Sequence, residues 1–367
     1  RYTISGTQSY SDENPFDVTV INGTAVVDFD HTPLEVWVST EGNDTSGDGS
    51  EANPFLTLKK ALDYGTSATV DLTVHIKEGL YNGSENRDLS YSNVGKITIV
   101  GESYGNVVID AEHATSGTGF WASASDIFTF GQNLEIKLVN LTLINCDGNP
   151  VDAYSLTMND NVVINSGTIR AQSPNDGVLI DNIKIINGTN QAINAYNLVL
   201  TNSLFENCNG KTSTGLLWLS TNNGHVLHLE NNTFKGNMIE GYSGGSAYYA
   251  QCDMVSINNT FDSNTVTGSA SNIAYASGNN ITSINDKFIN NNVTSYVAQY
   301  RSSGNYLTEI IVENITFINN RASANGAGLV TTGAKIKGGK FINNTAAGNG
   351  SAIYLLNHGK TSQVCEM

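Results

Sequence analysis

The chain has 367 residues, of which 14% are charged, and its formal net charge is −16. A surface this acidic excludes nucleic acid as a partner, because contacts with phosphate need lysine and arginine. No apolar run reaches the roughly 18 residues of a membrane span, so the sequence predicts no membrane-embedded segment. The acidity is typical of an extracellular protein, and we expect a location at the cell surface or in the cell wall.

Residues 1–34 precede the repeats that organise the rest of the chain. They contain two strand-like runs, 16–21 and 25–29, and they end near Pro33. We interpret this part as an N-terminal strand segment or as the tail of a preceding region. Arg1 is not a natural start and the last repeat stops without an obvious cap, so we expect a fragment that is truncated at its C-terminal end.

Residues 35–96 predict the N-terminal cap of a solenoid. A short helix follows Thr57, whose hydroxyl can cap it, and Leu58, Ala61 and Leu62 form one apolar stripe on this helix. An amphipathic helix of this kind can close the open end of a β-solenoid, where strand edges would otherwise be exposed.

An acidic, glycine-rich loop within the cap is a candidate calcium site. Asp44, Ser46, Asp48 and Glu51 offer oxygen ligands at a spacing similar to that of calcium-binding loops. The twelfth position is Phe55 rather than glutamate, which excludes an EF-hand and leaves either a looser calcium site or a solvated turn. The sequence suggests no other cofactor.

Residues 97–367 repeat with a period that is typical of a solenoid. A phenylalanine recurs every 24 to 29 residues, and asparagine follows it three positions later in five cases out of six. The phenylalanines are Phe205, Phe234, Phe261, Phe288, Phe317 and Phe341. Short alternating runs separated by Gly, Asn and Ser favour strands over the helical segment of a leucine-rich repeat. With weaker repeats upstream, we predict an all-β parallel β-helix of roughly ten coils.

These recurring residues predict two ladders. Each phenylalanine would point inward and stack on the next one about 4.8 Å away. The asparagines would sit at the bends, because asparagine tolerates the left-handed conformation and its amide can bond to the next coil. They are Asn237, Asn264, Asn291, Asn320 and Asn344.

Tyrosines near the glycine-rich segments are candidates for contact with a sugar. Tyr248, Tyr275, Tyr300 and Tyr354 could form an aromatic face, and alternation along the strands could equally place half of them in the core. Trp218, within the run Leu216-Leu217-Trp218-Leu219, is predicted to be a core residue.

The sequence predicts no catalytic residue. Asp176, in the run Asn175-Asp176-Gly177, and Asp181 are similar to part of a polysaccharide-hydrolase motif, but its other acidic, histidine and basic runs are absent. Asn-Asp-Gly is also common in turns. Glycoside hydrolysis needs two carboxyl groups that converge in space. The coils from 226 to 357 hold scattered Lys and Asp among Asn, Ser and Thr, so we predict that the chain is not an enzyme.

The cap resembles that of pectate-lyase-like right-handed β-helix proteins. The matching residues are Trp37 and Val38, Gly42 and Asp44, Pro54, Phe55, Thr57 and Ala61, and Gly79 and Tyr81. The Phe-x-x-Asn repeats resemble those of bacterial polymorphic outer-membrane adhesins. The acidic, Asn-rich combination is most similar to adhesin-like surface proteins of methanogenic archaea. The resemblance covers about residues 36–357 and implies a right-handed parallel β-helix with an N-terminal capping helix.

This resemblance implies a non-catalytic cell-surface adhesin, a rigid stalk that presents a surface to a cell-surface glycan or to a protein of a partner cell. One alternative is a polysaccharide lyase or glycoside hydrolase of the same fold, which would show a charged cleft with convergent acids. A second alternative is a viral tailspike-type receptor-binding protein, which would trimerise along its length. The ligand and the oligomeric state stay open.

Overall fold

The structure is a computed structural model in which almost every element is a β-strand. Four sheets contain nearly all of these strands, and neighbouring strands within them run parallel. The chain is therefore a right-handed parallel β-helix, and the predicted fold class is confirmed. The structure describes residues 20–21, 24–25, 33–66, 71–92, 95–116, 123–171, 177–189, 191–210, 215–219, 225–240, 247–268, 272–302 and 309–356.

A complete coil passes through sheets 1, 2, 3 and 4 in that order. The strands of sheet 1 are Leu34–Val38, Leu72–Ile76, Gly95–Gly101, Leu134–Val139, Ser155–Asn159, Val178–Asp181, Leu198–Thr201, Val226–Glu230, Asp253–Ile257, Asn280–Ile284, Glu309–Glu313 and Lys335–Lys337. The strands of sheet 2 are Gly79–Tyr81, Val107–Asp110, Thr142–Ile144, Val162–Ile164, Lys184–Ile186, Leu204–Glu206, Thr233–Lys235, Thr260–Asp262, Lys287–Ile289, Thr316–Ile318 and Lys340–Ile342.

Sheet 3 is narrow and lies in the later coils among the residues that the structure describes, whereas sheet 4 spans most of the length. The strands of sheet 3 are Asn209–Gly210, Met238–Glu240, Thr265–Thr267, Asn292–Val293, Arg321–Ala322 and Thr345–Ala346. The strands of sheet 4 are Leu89–Tyr91, Phe128–Phe130, Val151–Ala153, Ile169–Ala171, Ile193–Ala195, Leu217–Leu219, Tyr248–Ala250, Asn272–Gly278, Tyr296–Ser302, Leu329–Thr331 and Ile353–Leu355.

Two short antiparallel pairs lie outside these sheets. Val20–Ile21 pairs with Thr24–Ala25, and Thr115–Ser116 pairs with Ser123–Ala124. The remaining parts of the strand-like runs predicted at 16–21 and 25–29 lie outside the described residues.

Sheet 1 continues through the predicted boundary between the cap and the repeats. Its first two strands, Leu34–Val38 and Leu72–Ile76, pair in parallel with each other, and the second pairs with Gly95–Gly101. The cap therefore supplies the first strands of the same β-helix.

An α-helix packs on these first strands. Helix α1 (Leu58–Thr66) begins after Thr57, whose Oγ1 accepts the backbone N–H of Lys60 at 3.2 Å. Its buried residues are Leu58, Ala61, Leu62 and Gly65. A 3₁₀ turn at Ser84–Asn86 follows, and Asn86 Oδ1 accepts the N–H of Leu58 at 2.9 Å. The buried stripe on α1 covers apolar strand residues that would otherwise face water.

The six repeated phenylalanines form one internal stack on the inner side of sheet 2. Successive ring centroids lie 4.6–5.2 Å apart, and the rings are within 11° of parallel. Upstream, Ile185, Val163 and Leu143 hold the same register position. The stack forms because the spacing between strands of about 4.8 Å also suits offset stacking of aromatic rings.

Buried amides form a second column beside the rings, and Asn264 is representative. Its Nδ2 donates to the carbonyl oxygen of Phe234 at 2.9 Å and to Asn291 Oδ1 at 3.0 Å. Its Oδ1 accepts the backbone N–H of Asn237 at 3.0 Å and Asn237 Nδ2 at 2.9 Å. Each amide thus bonds to the coil before it and to the coil after it.

The asparagine of Phe-x-x-Asn does not occupy the left-handed bend, and this part of the prediction is wrong. The residue before it has the positive φ: 63° at Gly236, 58° at Ser263 and 56° at Asn290. The bend turns the following amide into the lumen. An amide is required there because the buried carbonyl and N–H groups of neighbouring coils need partners that water cannot supply.

Asp286 replaces asparagine in a second amide column, where the preceding coils hold Asn232 and Asn259. Its Oδ1 accepts the backbone N–H of Asn259 at 2.8 Å, and its Oδ2 accepts the hydroxyl of Ser283 at 2.6 Å. Tyr300 also bonds to Ser283, at 3.4 Å. Asp286 is fully buried, and this burial raises the pKa of its carboxyl.

We expect Asp286→Asn to flatten the dependence of stability on pH. Because the folded-state pKa is raised, the folded state holds a proton that the unfolded chain releases at about pH 4. The free energy of unfolding of the wild type therefore falls as the pH rises from that value through the folded-state pKa, and the variant lacks this loss. Urea denaturation of both proteins at a series of pH values measures it, and parallel curves would contradict the expectation.

Candidate functional site

A column of polar and aromatic side chains runs along the outer face of sheet 4. Strands of this sheet alternate, so Leu217 and Leu219 are buried in the lumen while Trp218 between them faces outward. Parallel register aligns the outward residues of successive coils. This outer column consists of Asp152, Arg170, Asn194, Trp218, Tyr249 and Tyr275. Gln299, the next residue in register, is buried and accepts a hydrogen bond from Asn272 at 3.1 Å. At about 4.8 Å per coil, an extended polymer along the axis would meet one residue of the outer column in each coil.

The outer column begins with an ion pair. Arg170 donates from a guanidinium nitrogen to Asp152 Oδ2 at 3.1 Å. Burial nevertheless raises the pKa of the Asp152 carboxyl, Arg170 opposes that rise, and the negative charge of Asp126 adds to it. Asp152 is consequently a carboxyl group that keeps its proton to a higher pH than an aspartate in water does.

Asp126 lies on the turn that leads into the preceding strand of sheet 4. Its Oδ1 accepts the backbone N–H of Asn149 at 2.6 Å. Burial, followed by the charge of Asp126, raises the pKa of the Cys146 thiol to about 12, and Asp147 adds a smaller contribution. The negative charge of Asp126 also raises the pKa of the Asp152 carboxyl, so these two groups interact electrostatically. We call the end of the outer column that holds Asp126 and Asp152 the acid end.

A histidine and an aspartate flank the acid end on the turns that follow sheet 2. His113 Nδ1 and Asp147 Oδ1 are 2.7 Å apart. Glu112 and His113 both have positive φ, at 58° and 51°. Arg87 pairs with Glu112, and the backbone N–H of Glu112 donates to Asp110 Oδ1 at 2.7 Å. These contacts hold a conformation that non-glycine residues rarely adopt.

The middle of the outer column offers hydrogen-bonding groups. Asn194, Trp218, Tyr249 and Tyr275 are partly exposed, and their polar atoms have no hydrogen-bond partner among the residues that the structure describes. The rings of Tyr249 and Tyr275 stack at 4.7 Å with an interplanar angle of 10°. Partial burial raises the pKa of the Tyr249 hydroxyl, which stays a donor at neutral pH.

The structure separates the four predicted ligand-face tyrosines. Tyr275 faces outward, and Tyr354 shares its register position further along the sheet. Tyr248 and Tyr300 are fully buried, with their hydroxyls 3.2 Å apart in the lumen, so they cannot contact a ligand from outside. Strand alternation puts Tyr249 outward in place of Tyr248. Trp218, predicted as core, also faces outward.

The acidic loop of the cap is organised by hydrogen bonds. Asp44 Oδ1 accepts the N–H of Leu56 at 2.7 Å and that of Thr57 at 3.1 Å, and Oδ2 accepts the Thr57 hydroxyl at 2.7 Å. Asp48 accepts the N–H of Ser50 at 2.9 Å, and hydrogen bonds with Ser50 lower the pKa of its carboxyl. Asp44 therefore faces peptide donors and anchors the start of α1.

The other two predicted calcium ligands use their backbone oxygens elsewhere. The carbonyl of Ser46 accepts Asn53 Nδ2 at 3.0 Å, and that of Glu51 accepts Lys77 Nζ at 3.1 Å. Within the described ranges, no group of three or more His, Cys, Asp or Glu side chains is arranged to hold a metal ion.

Of the two aspartates in the hydrolase-like run, Asp181 lies among the described residues. Asp176 and Asn175 lie outside the described residues. Asp181 ends a strand of sheet 1, where its Oδ1 accepts the Thr201 hydroxyl at 2.5 Å and Asn202 Nδ2 at 2.7 Å. Asp181 therefore bonds to the next coil beside the bend between sheet 1 and sheet 2.

No protein-family model matches the sequence, and no curated protein matches it. Solved structures do match. The catalytic domain of a GH87 α-1,3-glucanase aligns over 92% of this chain and 68% of its own, with a TM-score of 0.45 and 13% identity. The A-module of mannuronan C-5 epimerase AlgE4 from Azotobacter vinelandii aligns over 89% and 99%, with a TM-score of 0.32 and 15% identity. Pectin methylesterase PemA from Erwinia chrysanthemi aligns over 78% and 80%, with a TM-score of 0.33 and 13% identity.

These matches correct the functional prediction. The structures are those of a glucanase, an epimerase and an esterase, which contradicts the predicted non-catalytic adhesin and the prediction that the chain is not an enzyme. At identities of 13–15% and TM-scores below 0.5, the likeness assigns no particular activity to this chain.

The helical part of the structure is small. Among the described residues, no helix combines the length and the apolar character that crossing a membrane requires.

Proposed function

We propose that this chain hydrolyses a polysaccharide that lies along the outer column, and that the glycosidic bond is broken at the acid end. One observation carries the proposal. Asp152, whose pKa is raised by burial, lies near Asp126 at the start of a row of partly exposed polar side chains. Glycoside hydrolases usually use a pair of carboxyl groups that lie in unlike environments.

The two carboxyl groups would have different roles. Asp152, in its protonated form, donates its proton to the glycosidic oxygen as the bond to the anomeric carbon breaks. Asp126 is the second carboxylate, which either takes a proton from the attacking water or attacks the sugar itself. The hydrogen bond from the N–H of Asn149 to Asp126 fixes that carboxylate in place. Arg170 orients Asp152 by donating a hydrogen bond to its Oδ2.

Hydrolysis fits these residues better than elimination. A lyase of this fold would need a lysine or arginine that is free to act as a base beside the substrate. Arg170 stands in the outer column at the acid end, and it pairs with Asp152. Hydrolysis instead uses the two carboxyl groups, and both are present.

The proposed substrate also suggests where the protein acts and what it binds. Structural polysaccharides lie in cell walls and extracellular matrices, and we propose an extracellular site of action, in line with the acidic composition. The glycan partner is then the substrate. The similarity of the repeats to those of surface proteins from methanogenic archaea stays a prediction about origin.

Release of reducing ends from a panel of polysaccharides tests the proposal. We expect the wild-type chain to act on at least one polymer, and we expect Asp126→Asn to lower that rate at least about 100-fold. Asp181→Asn is the matched control, because Asp181 lies on sheet 1 and should leave the rate unchanged. No product from any polymer, or equal loss in both variants, would contradict the proposed activity.

A further inference from the structure

We propose that the outer column recognises a neutral glycan, and that it does so by hydrogen bonds from successive coils. The groups are the Asn194 amide, the Trp218 indole N–H and the hydroxyls of Tyr249 and Tyr275. This inference rests on the proposed function, because it assigns the substrate class of the same site.

The stacking of the two tyrosines decides how they can contact a sugar. Tyr249 and Tyr275 lie face to face at 4.7 Å, so each ring covers one face of the other. A sugar cannot slide between them, and a polymer along the axis meets the ring edges and hydroxyls instead. Recognition by phenol hydroxyls therefore outweighs stacking of a sugar on a ring face.

The polar groups of the outer column that lack hydrogen-bond partners among the described residues point to a ligand. In the lumen, amides such as Asn264 use both Oδ1 and Nδ2 in bonds to neighbouring coils. The side chains of Asn194, Trp218, Tyr249 and Tyr275 have no hydrogen-bond partner among the described residues, although each is partly buried. Partly buried donors that lack a partner among the described residues are well suited to the hydroxyl groups of a glycan.

The net charge of the chain favours a neutral polymer over a polyuronate. Within the outer column, Arg170 is held in its contact with Asp152. Asp126 adds a negative charge at the acid end, and Arg301 adds a positive charge near Tyr249. With a net charge of −16 on the whole chain, a polymer of uronic acids would be repelled at long range.

Isothermal titration with hexasaccharides tests the inference. The probes are β-1,4-linked glucose, β-1,4-linked xylose and α-1,4-linked galacturonic acid. Titrations use the Asp152→Asn background, so that turnover does not consume the probe. We expect binding of a neutral probe, and we expect Tyr249→Phe and Tyr275→Phe each to weaken it about two- to tenfold, because each removes one hydroxyl and keeps the stack. Tyr104→Phe, an exposed tyrosine outside the outer column, should leave the Kd unchanged.

Each outcome decides the inference separately from the proposed activity. Neutral binding that weakens in both phenylalanine variants supports it even where the wild type releases no reducing ends. Preference for the galacturonate probe, binding of none of the three probes, or Kd values unaffected by loss of the two hydroxyls would overturn it.

Discussion

Replacing Asp152 with asparagine is expected to lower kcat for polysaccharide hydrolysis about 10²- to 10⁴-fold, with a much smaller change in KM. Asparagine keeps the size and the hydrogen bond to Arg170 but has no proton to give to the glycosidic oxygen. Because Asp152 faces outward on sheet 4, the fold should be unaffected. Initial rates over a range of substrate concentrations, with thermal unfolding of both proteins as the check on folding, measure the effect.

The pH dependence of the hydrolysis rate also tests the role of Asp152. Asp152 acts when protonated, and burial raises its pKa, so the rate should stay high above the ordinary range of an aspartate and fall as the pH rises through the raised pKa. Asp126→Asn removes a negative charge that contributes to the rise, so the residual activity of that variant should decline at a lower pH. An alkaline limb that does not move would contradict the role of Asp126 as a neighbouring charge.

Asn264→Leu is expected to lower the free energy of unfolding by about 3–5 kcal/mol. Leucine has a similar size but leaves the N–H of Asn237 and the carbonyl of Phe234 without their amide partners. Each unsatisfied buried group costs about 1–3 kcal/mol. Asn291 also loses a donor to its Oδ1. Urea denaturation of wild type and variant at one pH measures the difference.

The left-handed bend supplies the matched control for this variant. Asn290 is exposed and has φ of 56°. Its Nδ2 donates to Asp262 Oδ1 at 3.2 Å, and its Oδ1 accepts Asn319 Nδ2 at 3.3 Å. Glycine adopts that conformation readily, so Asn290→Gly should change the free energy of unfolding by no more than about 0.5 kcal/mol. Equal losses in the two variants would mean that the column of buried amides is not what holds successive coils together.

The fold could be predicted because its signal is repeated in every coil. Phe234, Phe261 and Phe288 hold the same position in consecutive coils, and stacking requires this identity. The sequence pattern does not show which asparagine adopts the left-handed conformation at the bend. In Ile289-Asn290-Asn291-Asn292, several adjacent asparagines fit the left-handed region equally well, and only the demand for buried donors selects Asn291 for the lumen.

The candidate site could not be predicted in the same way, because outward positions are not held by packing and so do not repeat. Asp152, Arg170 and Trp218 occupy equivalent positions and share no chemistry. Strand alternation carried a usable signal, since Leu217 and Leu219 facing inward place Trp218 outward. The acid end had no such signal, because Asp126 and Asp152 are 26 positions apart in sequence and come together only through the winding of the coils.

A crystal structure of Asp152→Asn with a bound neutral hexasaccharide that the wild type cleaves tests the central claim most directly. We predict that the sugar chain follows the outer face of sheet 4, with one glycosidic oxygen within hydrogen-bond distance of residue 152 and with sugar hydroxyls on Tyr249 and Tyr275. A glycan bound on sheet 1 or sheet 2, or on sheet 4 with its glycosidic oxygens remote from residue 152, would contradict the account.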